Sequence, residues 1–229
     1  MKRIAVIISD GHGEDTVGKW SPPFLDKTKV GDRTFLAGER FRENSYNDPA
    51  SNMLESILTK MQIPVRQIAP EHADIPLPER RRRQHALHAE LEALGFLPVT
   101  ISIHANGHGN GSVWTTAQGI ETFFQGSNEQ SRILARLIQT NMMSFRSRET
   151  PYTMQTDRGI KTANLYVLRE YKGIVVLPEN DFMTNRQALE LLCTENYIRE
   201  SAQAMADAVL TFQGFSHLPD VRQKTEHTV

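Results

Sequence analysis

Short apolar runs rich in β-branched residues recur along the chain, separated by stretches with helical spacing. Ile4–Ile8, Val65–Ile68, Pro98–Ile103, Gly119–Phe124, Leu165–Leu168 and Ile174–Leu177 have the length and content of buried strands. Between them Leu87, Leu91 and Leu94 share one helical face, and Ile133, Leu134, Leu137 and Ile138 share another. Ile198, Ala202, Met205 and Val209 form a third. Strand runs with little polar alternation must be covered on both sides. The pattern therefore predicts an α/β fold: one domain with a twisted, mostly parallel sheet of about six strands flanked by helices. A chain of 229 residues can bury one sizeable core. We assign it to 1–213 and read 214–229 as a polar C-terminal tail. Gly18–Arg42, with Pro22-Pro23 and scattered charges, reads as a long loop over the sheet edge.

Composition removes several classes of function. Lys+Arg number 26 against 27 Asp+Glu, a net charge of -1, so no field exists to hold a polyanion and nucleic acid is excluded as a partner. The single cysteine, Cys193, rules out an intrachain disulfide and a cysteine-built metal cage. No run approaches the ~18 apolar residues of a membrane span. The five apolar residues after Met1-Lys2-Arg3 are too few for a secretory signal core and lack a small-residue cleavage site. The expectation is a monomer, not membrane-embedded, cytoplasmic as synthesised.

Three chemically loaded turns follow strands. Asp10-Gly11-His12-Gly13 follows the first, His104-Ala105-Asn106-Gly107 the third, and Glu179-Asn180-Asp181-Phe182 the last. In a parallel sheet these ends share one rim, which would gather His12, His104 and Glu179. Two imidazoles and a carboxylate suit a catalytic zinc ion, which takes nitrogen and oxygen ligands and keeps a position open. His104 and His108 have the spacing of a zinc-protease helix, but Gly107 and Gly109 argue against a helix there. The basic run Arg80–Arg83 reads as a polar helix face, with Arg80 turned inward as a brace.

In this order, the segments resemble the zinc-dependent N-acetylmuramoyl-L-alanine amidases, the family of bacterial cell-wall amidases and phage endolysins. The similar strings are Gly11-His12-Gly13, the Glu-x-x-x-Asn of Glu43 and Asn47, and the Asp…Leu…Arg of Asp74, Leu77 and Arg80. They continue with Ser102-Ile103-His104-Ala105-Asn106 and the stretch from Gly119 through Glu121 to Phe124. Arg158-Gly159-Ile160-Lys161, Tyr166-Val167-Leu168-Arg169 and the run Val175 to Asn185 complete the set, which spans Ile4 to Leu210.

The resemblance implies that His12, Glu43 and His104 hold one zinc ion and that Glu179 is the catalytic carboxylate. The implied reaction is hydrolysis of the amide between the muramoyl lactyl group and L-alanine in peptidoglycan, reached after release or export. Asn106, His108 and Trp114 are the candidates for substrate contact. Trp114 either lines the groove or covers the core at its loop base, and Lys19-Trp20-Ser21-Pro22 offers a second wall. Two departures leave alternatives open. Asp48-Pro49 follows Glu43 closely and predicts a helix that begins at Pro49, which keeps Glu39 and Glu14 as alternative ligands. Asp181 stands where the similar family's pattern has a glycine after the implied catalytic glutamate, and either joins the site or caps the next helix. The rival functions are a zinc carboxypeptidase acting on stem peptides, which needs an arginine clamp, and a catalytically dead wall-binding module.

Overall fold

The computed structural model describes residues 2–149 and 156–215. The sheet has seven strands. Strands β4 (Val65–Gln67), β1 (Ile4–Ser9), β5 (Leu97–Ser102), β9 (Ile174–Phe182), β7 (Ile120–Phe124) and β8 (Asp157–Lys161) lie side by side in that order, and β6 (His104–Asn106) also pairs β9. All pairings are parallel except β7 against β9. The predicted α/β architecture is the one observed.

Two-faced burial explains the unbroken apolar strands. In β1, Ile4, Val6 and Ile8 enter one core while Ala5 and Ile7 enter another; in β9, Ile174 and Val176 alternate in the same way with Val175 and Leu177. Helices α1 (Asn44–Lys60), α3 (Glu129–Glu149) and α6 (Glu195–Phe215) pack together over the larger core. On the other face, α2 (Leu77–Ala93) packs beside the short α4 (Tyr166–Glu170). The buried stripe of α2 is Arg80, Gln84, His88 and Leu91, whereas Leu94 lies past the helix end and is 61% exposed.

Several expectations are corrected. Leu165–Leu168 is not a strand: Leu165 is the N-cap of α4, and Arg169 lies over the Tyr166 ring one helical turn away. Four apolar residues are too few for periodicity to separate strand from helix. Two strands of the sheet go beyond the expectation: β6, in place of the turn read at His104–Gly107, and β8, whose Asp-Arg-Gly-Ile-Lys sequence carries the charges common on sheet edges. Gly18–Arg42 is not a featureless loop. It is an arm closed by an antiparallel bridge between Trp20 and Arg42, with a hairpin of β2 (Thr28–Val30) and β3 (Arg33–Phe35) at its centre. Phe24 stacks on Phe35 at 4.4 Å and anchors the arm. Helix α6 continues to Phe215, past the 213/214 boundary, and the rest of the expected tail, 216–229, lies outside the described residues.

Helix α1 begins at Asn44 rather than Pro49, with Glu43 as its N-cap residue and Pro49 inside. A proline there removes the N–H that would bond the Ser45 carbonyl. That carbonyl instead accepts from Arg33 Nη2 at 3.0 Å, so the arm's hairpin satisfies the group that the proline leaves open. Between α5 (Arg186–Leu192) and β9, Asn185 rather than Asp181 caps the helix, its side chain accepting from Gln187 N and Ala188 N.

Candidate metal centre

Topology brings the three segments to one rim, but only Asp10–Gly13 is a turn: His104–Asn106 is strand β6, and Glu179–Phe182 is the end of β9. Ser9 of β1 is in register with Ser102 of β5, and His104 of β6 is in register with Glu179 of β9. The rings of His12 and His104 meet edge to face, with centroids 5.1 Å apart. Gly11 permits this approach: its φ is +69°, and a Cβ there would lie 2.6 Å from the Ile103 carbonyl and 2.8 Å from His104 Cε1.

Glu43 enters from the start of α1, 1% exposed. Its Oε1 is surrounded by His104 Nδ1 at 2.9 Å, the Asn47 amide at 3.2 Å and the Ala105 N–H at 3.4 Å. The Glu-x-x-x-Asn spacing is therefore a one-turn contact in which Asn47 orients the carboxylate. The other oxygen, Oε2, is buried without a hydrogen bond; His12 Nε2 lies 3.9 Å away and Lys19 Nζ 3.5 Å away. Ser102 Oγ sits 3.1 Å from His104 Nε2. Without a cation Nδ1 is placed to donate to Glu43 Oε1; with one bound, Ser102 accepting from Nε2 would leave the Nδ1 lone pair free for the ion. One donor atom each from His12, Glu43 and His104 fall within 4.8 Å of one another, and a cation between them would satisfy the orphaned oxygen. The donor set fits a zinc ion. The alternatives do not converge here. Glu14 and Glu39 are exposed, and Glu39 accepts from Leu36 N within the arm.

The electrostatics match this geometry. Burial, then the neighbouring His104, lowers His12 to about 3, so its imidazole is neutral at physiological pH. Burial alone would raise Glu43, but His104, His12 and Lys19 outweigh it and hold the carboxyl at about 2. Burial, then the negative Glu43, pushes Glu179 well above the carboxylate range, and its Oε2 is also buried without a hydrogen bond.

The His12 shift carries a sign. Between about pH 6.5 and about 3 the unfolded chain takes up a proton at this residue that the folded chain does not. Metal-free protein should therefore lose stability as pH falls through that window. Thermal melts in the presence of a chelator should show the loss, and His12→Gln should flatten it.

A second layer holds these segments. Arg80, 1% exposed, pairs with Asp10 at 2.9 Å and donates Nε to the Ile75 carbonyl at 2.9 Å. Asp74 lies 3.8 Å from Arg80 and accepts from Gly13 N at 3.2 Å, beside His12. The Asp…Leu…Arg string thus braces the first turn from below, with Arg80 turned inward. Arg80→Met would leave Asp10 buried and unpaired, and we expect a loss of about 3–5 kcal/mol in chemical denaturation. On the far side, Glu121 is in register with Glu179 and binds Asn106 at 2.6 Å, Arg158 at 3.1 Å and Lys161. This network joins two strings whose purpose sequence reasoning had not assigned. Asp181, buried at φ +68°, accepts from Gly119 N at 2.8 Å and fixes the start of β7.

The remaining candidates stand on the rim without touching the donor cluster. Asn106 is tied to Glu121, and its own Oδ1 accepts from Gly107 N. His108 is exposed, its backbone N–H bonded to Thr184 Oγ1 at 3.0 Å. Trp114 is half-buried at the loop base, 5.5 Å from Phe24 and beneath the Arg186 guanidinium. The sequence marks Lys19 only as part of the second cleft wall. Its proximity to Glu43 depends on the arm folding back, a long-range contact with no local signal.

Relatives of the chain carry the same architecture. The amidase from Clostridium difficile 630 superposes with a TM-score of 0.69 at 25% identity, covering 93% of this chain and 98% of that one. An uncharacterised cell wall amidase of Bacillus anthracis is 37% identical over 123 residues, 50% of this chain and 21% of its own length. The endolysin of Bacillus phage SPP1 is 25% identical over 188 residues, 81% of this chain and 64% of its own. The chain thus spans only part of the length of the curated relatives it matches. A family model described as N-acetylmuramoyl-L-alanine amidase matches residues 6–211, which include His12, Glu43, His104 and Glu179. With nearly the whole described domain inside that match, the chain belongs to the N-acetylmuramoyl-L-alanine amidase family.

Proposed function

We propose that the protein is a zinc-dependent hydrolase of the amide between the muramoyl lactyl group and L-alanine in peptidoglycan. The observation that carries this reading is Glu43 Oε2, a buried carboxylate oxygen without a hydrogen bond, facing two imidazoles and close enough to Glu179 to raise its pKa. His12, Glu43 and His104 would hold the ion. When bound, zinc supplies Lewis acidity toward the scissile carbonyl and the attacking water.

The chain's own groups carry the proton. Glu179, made a stronger base by burial and by the charge of Glu43, accepts a proton from the attacking water. It then delivers that proton to the departing L-alanine nitrogen, which an amide needs because the unprotonated amine leaves poorly. Ser102 holds the His104 tautomer, and Asn47 holds the Glu43 rotamer. Asn106, His108 and Trp114 form the substrate-facing wall on this reading, with Asn106 held by Glu121 and Trp114 closing the loop base. Among the described residues no helix is long and apolar enough to cross a membrane. We take the expected 1–213 unit, carried on to Phe215 where α6 ends, as the catalytic unit and the working form as a monomer that meets its substrate in the cell wall.

Incubation of the zinc-loaded protein with purified peptidoglycan tests the reaction. New L-alanine amino groups without new reducing sugar ends are the expected products. Release of residues from the peptide carboxyl terminus without those amino groups would replace this reading with a carboxypeptidase.

A further inference from the structure

The arm returns a lysine to the donor cluster. Its closing bridge pairs Trp20 with Arg42, and one residue further along both segments the Glu43 N–H donates to the Lys19 carbonyl at 3.0 Å. Neighbours in extended chain face opposite ways, so Trp20 and Arg42 turn from the cluster while Lys19 and Glu43 share its side. Lys19 Nζ comes to 3.5 Å from Glu43 Oε2. The segment before it is fastened as well. The Lys19 N–H donates to the Thr16 carbonyl at 3.4 Å, and Arg42 Nη1 donates to the Glu14 carbonyl at 2.8 Å.

Exposure fixes the side on which this cation stands. The Lys19 side chain is 41% exposed, whereas that of Glu43 is 1% exposed. The ammonium group therefore lies on the solvent side of the carboxylate, the side from which a substrate arrives. Among the described residues it is the one lysine or arginine within ion-pair distance of Glu43. Its charge reaches past that partner. Burial and Glu43 raise Glu179, and Lys19 opposes them; burial and His104 lower His12, and Lys19 adds to that shift. One ammonium group thus acts on two of the metal donors and on the carboxylate assigned as the base.

A fixed cation in this place has two consequences of opposite sign. It opposes an incoming metal ion, because it partly neutralises Glu43 Oε2 and repels a second positive charge. It favours an anion, and the scissile carbonyl oxygen becomes one as water adds to the amide.

We propose that Lys19 is a further catalytic residue, a hydrogen-bond donor to the oxyanion that develops on the substrate, and that it weakens metal binding in the same position. This rests on the amidase reading above. Two plainer roles make different predictions. A mere counter-ion for Glu43 would, when removed, tighten zinc and leave turnover of the loaded protein unchanged. A mere brace for the site would, when removed, loosen zinc.

Lys19→Gln and Lys19→Arg separate these roles. Zinc affinity, read by competition with a chromophoric chelator, requires no turnover. It should tighten about three- to tenfold in Lys19→Gln, by a factor that shrinks as salt rises from about 0.05 to about 0.5 M, and stay near wild type in Lys19→Arg. With zinc saturating, hydrolysis of a soluble muramoyl peptide by Lys19→Gln should lose about 10- to 100-fold in kcat, with KM within about threefold of wild type. Lys19→Arg should recover most of that loss. Unfolding midpoints in chelator identify a variant that fails to fold, and Lys19→Met then carries the same expectations as the glutamine. Weaker zinc binding by Lys19→Gln, or an unchanged kcat at full zinc occupancy, would overturn the role of Lys19 while leaving the amidase intact. No turnover by the zinc-loaded wild type would remove the amidase reading and the catalytic role with it.

Discussion

Glu179→Gln should lower hydrolysis by about 10²- to 10⁴-fold and leave the protein able to bind its metal. The amide has the shape of the carboxyl group but accepts no proton from water and returns none to a leaving nitrogen. Its effect on stability should run the opposite way. Because the folded-state pKa of Glu179 is raised, the folded chain binds a proton more readily than the unfolded chain above the ordinary value of 4.5. The carboxylate is therefore a destabilising group at neutral pH, through burial and through Glu43. A neutral glutamine removes that repulsion, so the melting temperature of the metal-free variant should equal or exceed that of the wild type. Loss of both activity and bound zinc in this variant would show that Glu179 is a ligand and that its assigned role is wrong.

Glu43→Gln should be nearly as damaging to activity, by a different route. It removes the negative oxygen that faces His12 and Lys19 and leaves the ammonium group and the two imidazoles without their shared carboxylate. Changes one shell further out typically cost 10- to 100-fold in metal affinity, and loss of a ligand should exceed about 100-fold. Metal analysis after dialysis should find substoichiometric zinc, and activity should return only in excess metal, if at all. The contrast with Glu179→Gln separates holding the ion from moving the proton. Retention of tight zinc by Glu43→Gln would contradict the assignment.

The sequence carried most of the fold because the inner strands are buried on both faces. β1, β5 and β9 announce themselves as apolar runs, and their ends locate His12, His104 and Glu179 by topology alone. β8 escaped because an edge strand needs only one apolar side and tolerates Asp157, Arg158 and Lys161. Pro49 misled for a physical reason: its cost was counted without the long-range donor, Arg33, that satisfies the freed Ser45 carbonyl. The same distant arm hid Lys19. Glu43 was named only through the resemblance. Local pattern left Glu14 and Glu39 open as ligands, and the folded backbone leaves Glu43 alone between the imidazoles. Glu121 was legible as part of a string but not as the anchor of Asn106, because its partners come from β6 and β8.

Diffraction from crystals of zinc-loaded protein, collected on both sides of the zinc absorption edge, addresses the metal centre without recourse to activity. We expect one anomalous peak in contact with His12, Glu43 and the Nδ1 of His104, with Glu179 near it but outside the ligand set. A peak elsewhere, or none between the two rings, would contradict the account.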